Sequence, residues 1–195
     1  MNGARGSDTM RAIATFFTLI LLLTPLTGLV SADGARSIAC NGDVCISELM
    51  PNPSGLDTGT YPDGEWVELH NNGSSGVNLQ GWTLLDVGGW EHPIDADTWV
   101  DFANLSTPYV LAAGAYAIIS EANQGTLKLN QAGETLHLRD ASNSIMHSVT
   151  TGTASVNTSK VPGATATDDY VDSTGNTPGA ANSGAGSGPT YVESD

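Results

Sequence analysis

Turn-forming residues recur along this chain at a spacing that leaves room for strands and none for helices. Beyond residue 32, clusters of Gly, Pro, Asn, Asp and Ser break the apolar runs about every 8–12 residues. No window of about 11 residues there carries apolar positions at helical spacing. A strand needs only about 5–6 residues between turns. The pattern predicts an all-β fold, a sandwich or a barrel.

Individual strands follow from alternation and turn chemistry. Val44–Met50 reads as a first strand, with Val44, Ile46 and Glu48 on one face. Residues 51–64 form a loop rich in Pro, Gly, Asp and Thr. Glu65–His70 is a second strand in which Val67 and Leu69 share a face and Trp66 takes the other. A polar turn at 71–76 leads to a Val-x-Leu step and a strand at Gly81–Leu85. Trp90–Ile94 reads as a fourth strand, and 95–108 is the least regular segment. Tyr109–Leu111, a turn at Ala113-Gly114 and the apolar strand Ala115–Ser120 follow. Thr126–Leu129 is a short strand. Glu134–Arg139 and Ser144–Thr150 make a hairpin around Asp140-Ala141-Ser142-Asn143. Strand signals fade after Thr150, apart from a final one near Asp169-Tyr170-Val171.

The N-terminus has the three parts of a secretory signal peptide. Arg5 and Arg11 are the basic region, Ala12–Leu23 is the apolar core, and Val30-Ser31-Ala32 offers a cleavage site. A transmembrane anchor needs about 20 apolar residues, so cleavage is favoured over a retained anchor. Met10 is an alternative start. Residues 33–43 are then a short N-terminal segment, and Ser183–Pro189 opens a Gly/Ser-rich linker or disordered tail running to Asp195. Cys40 and Cys45 flank Asn41-Gly42-Asp43-Val44, a turn that brings the thiols together. In an oxidising compartment they pair as a disulfide. A lipid anchor on Cys40 fits poorly, because Ser37 stands where a large apolar residue is needed.

Charge narrows the partners. Six Lys and Arg stand against 21 Asp and Glu, a net charge of −15. Nucleic-acid binding needs clustered bases to displace counterions, so no nucleic-acid partner is expected. Adsorption to an anionic membrane fails for the same reason, and the cleaved chain is expected to have no membrane association. The acidity serves solubility.

Six segments in order carry a resemblance. They are Ile46-Ser47-Glu48-Leu49-Met50-Pro51-Asn52-Pro53, Glu65–Asn71, Val77-Asn78-Leu79-Gln80-Gly81-Trp82-Thr83-Leu84, Leu111–Tyr116, Gly133–Asp140 and Thr177-Pro178-Gly179-Ala180-Ala181-Asn182. The chain resembles the lamin tail domain family, as found in secreted and surface proteins of prokaryotes, over residues 44–182. The resemblance implies an immunoglobulin-like β-sandwich, generally non-catalytic, that also occurs beside nuclease or other hydrolase domains. The Cys pair, the loop at 53–64 and the region around Trp99 depart from the usual pattern.

Carboxylates are the one abundant reactive group. Glu48, Asp57, Asp63, Glu65 and Glu68 are candidate ligands for Ca²⁺, a cation that takes six to eight oxygens. Their spacing matches no EF-hand loop, and solvated strand-edge charges are the plainer reading. Asp168, Asp169 and Asp172 form a second acidic group. Paired carboxylates also raise glycoside hydrolysis, but any acidic chain supplies such pairs. Of the histidines, His70 and His92 stand alone, while His137 and His147 lie on neighbouring hairpin strands and lack a third metal ligand. No activated Ser, His-Glu-x-x-His or Gly-x-Ser-x-Gly motif is present. Asn72, Asn104 and Asn157 begin N-glycosylation acceptor triplets.

The expectation is a secreted or cell-surface module, not an enzyme, with no required cofactor. It presents loops or a sheet edge to a protein or carbohydrate. The alternatives are an accessory domain of a larger secreted hydrolase and a calcium-stabilised surface domain.

Overall fold

The computed structural model describes residues 40–95, 99–101, 109–120, 127–164 and 169–182. Twelve strands and no helix occur among them. They are β1 (Val44–Met50), β2 (Trp66–Asn71), β3 (Val77–Asn78), β4 (Thr83–Asp86), β5 (Glu91–Pro93), β6 (Trp99–Asp101), β7 (Val110–Leu111), β8 (Tyr116–Ser120), β9 (Thr135–Arg139), β10 (Ile145–Thr150), β11 (Lys160–Val161) and β12 (Val171–Asp172).

A six-stranded sheet runs β12-β11-β1-β2-β8-β6, and a four-stranded sheet runs β10-β9-β4-β5. The β3–β7 pair stands apart. All ladders between these strands are antiparallel. This is the expected immunoglobulin-like sandwich.

One core fills the space between the sheets. Val44, Ile46, Leu49, Val67, Leu69, Ala117 and Ile119 come from the six-stranded sheet, and Leu84, Leu136, Leu138 and Val149 from the other. Burying each Leu, Ile or Val contributes about 1.5–3 kcal/mol. Trp82 joins this core as an aromatic anchor. Gly81 before it adopts φ 81°, a conformation that side chains resist. Gly114, with φ 71°, makes the expected turn ahead of β8.

A bulge overturns one expectation. The β1–β2 register shifts between Ile46 and Glu48. Ser47 is the extra residue, so the inward side chains are Ile46 and Leu49, three positions apart. Glu48 therefore leaves the face of Val44 and Ile46 and turns to the other side, directly opposite Glu68. A bulge adds one residue to one strand and so reverses the alternation beyond it.

Other differences are smaller. Leu127–Asn130 form no strand, although Leu127 and Leu129 are buried. Strands β6 and β11 occupy segments without strand signals. With two or three residues each, they are set by their neighbours rather than by their own pattern.

Candidate functional site

Around Met50, Trp66 and Glu68 the outer face of the six-stranded sheet is closed to water. Met50, Trp66 and Ile118 form a small apolar cluster there, covered by Tyr61 from the β1–β2 loop. Beside it sit Glu48 and Glu68, both completely buried. Burying a carboxylate is costly unless donors surround it. Here donors come from Ser47, from Ser159 and from the segment after β12, residues 173–182, which lies across this face as a strap.

Thr177 donates twice to Glu48, from its N–H at 3.1 Å to Oε1 and from its hydroxyl at 2.9 Å to Oε2. The Ser159 hydroxyl also donates to Glu48 and lies 2.8 Å from that of Ser173. Glu68 accepts from the Ser47 hydroxyl at 2.6 Å and from the Gly179 N–H at 2.6 Å. Asn182 closes the strap by donating to the Ser47 carbonyl at 2.8 Å. Burial first, and then the nearby Glu48, push the Glu68 carboxyl up to about 7; the Ser47 and Gly179 hydrogen bonds oppose this.

Glu65 is buried separately, where its Oε2 accepts from the Leu129 N–H at 2.9 Å. Asp57 and Asp63 lie exposed on the β1–β2 loop, and Asp57 meets Gln131 at 3.3 Å. The five candidate calcium ligands are thus not brought to one point. Among the described residues no three His, Cys, Asp or Glu side chains are placed to hold a metal ion. Of the second acidic group, Asp168 lies outside the described residues and Asp169 is exposed. Asp172 pairs with Lys160 at 2.7 Å, and this contact holds its carboxyl below the usual range.

The inner face contains a different polar device. Beyond the bulge β1 pairs with β11 at Leu49, and before it Ile46 has no ladder partner on that side. Two side chains take the ladder's place. His147 Nδ1 accepts from the Ile46 N–H at 3.0 Å, and the Tyr170 hydroxyl donates to the Ile46 carbonyl at 2.6 Å. The imidazole must be neutral at Nδ1 to accept, and burial lowers its pKa to about 4.

Strand register separates the two hairpin histidines. His147 lies opposite Leu138 on the inward face, whereas His137 lies opposite Ser148 on the outward face. They cannot share a metal. His137 Nδ1 meets the Ser148 hydroxyl at 2.6 Å, but that serine is fully buried and offers no nucleophile to a substrate. His92 is buried opposite Leu84, and His70 stacks on Tyr116 at 4.1 Å.

Cys40 and Cys45 form the expected disulfide, with Cα atoms 5.7 Å apart. Asn72 and Asn157 are exposed, and Asn104 lies outside the described residues. The carboxylate donors Ser159, Thr177 and Gly179 are not among the candidate residues. Their signal was the acid inside each of two strongly apolar strands, which demands buried donors from elsewhere.

A family model described as Lamin Tail Domain matches residues 38–153. The chain belongs to the lamin tail domain family. A search of curated proteins found no match. The match covers β1 to β10 and the disulfide, and lamin tail domains are non-enzymatic immunoglobulin-like modules. In this lamin tail domain, β11, β12, Tyr170 and the strap lie beyond the matched stretch, yet they complete the six-stranded sheet and cover both carboxylates.

Proposed function

We propose that this lamin tail domain works outside the cell or at its surface as a non-catalytic interaction module. One observation carries the reading. Four buried groups with chemical potential, Glu48, Glu65, Glu68 and His147, hydrogen-bond to the protein's own main chain or hydroxyls. Such groups build a scaffold; they do not face a substrate. The buried disulfide suits an oxidising compartment, as does the signal-peptide pattern at residues 1–32.

The partner is a protein or carbohydrate at the cell surface, met through loops. The β4–β5 turn is the best-equipped loop, because Trp90 and Val87 are both largely exposed there and Lys128 lies 4.2 Å over the Trp90 ring. Aromatic side chains anchor both protein and sugar contacts. No nucleic-acid or membrane partner is proposed. Neither a cofactor nor calcium is required.

Expression of the gene in its own host tests this. The protein should appear in the medium or on protease-accessible cell surface, cut after Ala32 and oxidised by intact mass. Purified domain should bind washed host cells, and Trp90→Ala should weaken that binding about tenfold. Retention inside the cell with residues 1–32 in place would sink the proposal.

A further inference from the structure

The arrangement under the strap raises a question of charge. Glu48 and Glu68 lie directly opposite each other across β1 and β2, both fully buried. Like charges in that relation destabilise a sheet. Among the described residues, no Lys or Arg pairs with either one. The strap itself, Ser-Thr-Gly-Asn-Thr-Pro-Gly-Ala-Ala-Asn at 173–182, contains no charged residue. Its Thr177, Gly179 and Asn182 donate hydrogen bonds to this pair and to the Ser47 carbonyl.

The geometry around Glu68 has a place for a proton. Ser47 Oγ lies 2.6 Å from Glu68 Oε1 and 3.3 Å from the Glu68 carbonyl oxygen. With a proton on Oε1, the carboxyl donates to Ser47 Oγ and the serine turns its own hydrogen to the Glu68 carbonyl. Oε2 keeps the Gly179 N–H. No hydrogen bond is lost when the pair gives up a charge.

We propose that residues 177–182 form a proton-linked latch: the strap closes over Glu48 and Glu68 with a proton held between Glu68 and Ser47, and opens when that proton leaves. Opening hydrates both carboxylates, so their mutual repulsion and their burial cost both fall. Closing therefore takes up a proton, and the linkage has a fixed direction. The closed state holds the Glu68 carboxyl at about 7, while the opened one returns toward the ordinary 4.5. Strap opening grows as pH rises from about 4.5 to about 7 and levels off above.

The other groups facing the pair are accounted for. Tyr61 from the β1–β2 loop and Tyr116 from β8 are both pushed above 10 and are silent in this window. Lys160 on β11 and Asp172 on β12 pair with each other. His70, on the same face of β2, is pushed below 6.5 by burial. It needs its own control.

Amide hydrogen exchange on the full chain, followed by NMR from pH 4.5 to 8 and corrected for intrinsic rates, tests the latch. Opening at Thr177 and Gly179 should rise on the order of a hundredfold up to pH 7 and then stay flat. Amides of Val67 and Ile119 should not follow. Glu68→Gln places an NH₂ against Ser47 and an oxygen against Gly179, mimicking the protonated form. Its strap should stay closed across the range, and His70→Gln should keep the wild-type slope. A pH-independent strap in the wild type overturns the latch. So does a wild-type slope in Glu68→Gln, loss of the slope in His70→Gln, or joint opening of strap and core. Should Glu68→Gln not fold, the wild-type Glu68 carboxyl carbon is titrated instead. A midpoint near 7 shared with the Gly179 amide supports the latch, and a midpoint below 5 overturns it.

Discussion

On its inner face the β1–β2 pair carries Val44, Ile46, Leu49, Val67 and Leu69; on its outer face it carries Glu48, Met50, Trp66 and Glu68. All nine are buried. The inner face is held by non-directional apolar burial, and its cover is a whole second sheet. The half of the outer face around the carboxylates is held by directional hydrogen bonds, and its cover is one uncharged strap. Removing a side chain from the first should cost by volume. Removing one from the second should cost by what is left unpaired, and should depend on pH.

The largest expected effect belongs to the inner face. Leu69→Ala, in the middle of β2, should destabilise by about 3–4 kcal/mol from lost burial and the cavity left behind. Urea unfolding measures this, and the loss should be the same at pH 5 and pH 7. A pH-dependent loss would show that the two faces are not independent.

Next comes a titratable group between the sheets. His147 is held neutral with a pKa of about 4, against 6.5 in the unfolded chain. As pH falls below 6.5 the unfolded state takes up the proton first, so stability drops down to about pH 4 and is level below it. The whole swing is about 3 kcal/mol, because each pH unit between the folded and unfolded pKa is worth roughly 1.4 kcal/mol. Glu68 works the other way. Its raised pKa favours the fold as pH falls from about 7 to 4.5. The two windows overlap with opposite signs, so acid sensitivity in the wild type is partly masked. Glu68→Gln should steepen the loss of stability below pH 6.5, read from urea midpoints at pH 7 and 4.5. A shallower loss would mean that one of the two groups titrates in the wrong place.

Much of this contrast was visible in the sequence, and some was not. The apolar runs Val-Cys-Ile-Ser-Glu-Leu-Met and Trp-Val-Glu-Leu-His-Asn predict β1 and β2 well, because burial on both faces makes strands nearly continuously apolar. The face of Glu48 is predicted wrongly. A bulge at Ser47 reverses the alternation, and no residue type marks that kind of bulge. The calcium grouping fails for a related reason. Sequence proximity joins Glu48, Asp57, Asp63, Glu65 and Glu68, whereas the pleat and the loop send them to different places. Thr177-Pro178-Gly179 is legible as part of the last segment that carries the resemblance. That its amides reach carboxylates more than a hundred residues earlier is long-range information that local patterns do not hold.

Tyr170→Phe tests the ladder substitute on the inner face by deleting one atom. The Tyr170 hydroxyl is the donor to the Ile46 carbonyl, and both are buried. Without it the carbonyl loses that partner, at about 1–3 kcal/mol. The ring stays, so the packing of Tyr170 in the core is unchanged. The His147 contact to the Ile46 N–H also stays, so the acid window should not move. A urea series at pH 7 and pH 5 should show one constant offset from wild type.

The smallest effect should come from the strap, and it discriminates best between the two faces. Thr177→Val keeps the shape of the side chain and the backbone N–H to Glu48, but removes the hydroxyl donor at 2.9 Å. Global stability should fall by about 1 kcal/mol. A strap that opens on its own shows this loss locally, because opening rehydrates Glu48 before the sheets separate. At Thr177→Val the Gly179 amide should exchange about fivefold faster and still open at a lower free energy than the Leu69 amide. If the Gly179 and Leu69 amides opened at one and the same free energy, strap and sandwich would be one cooperative unit, and the outer face would be core in the same sense as the inner.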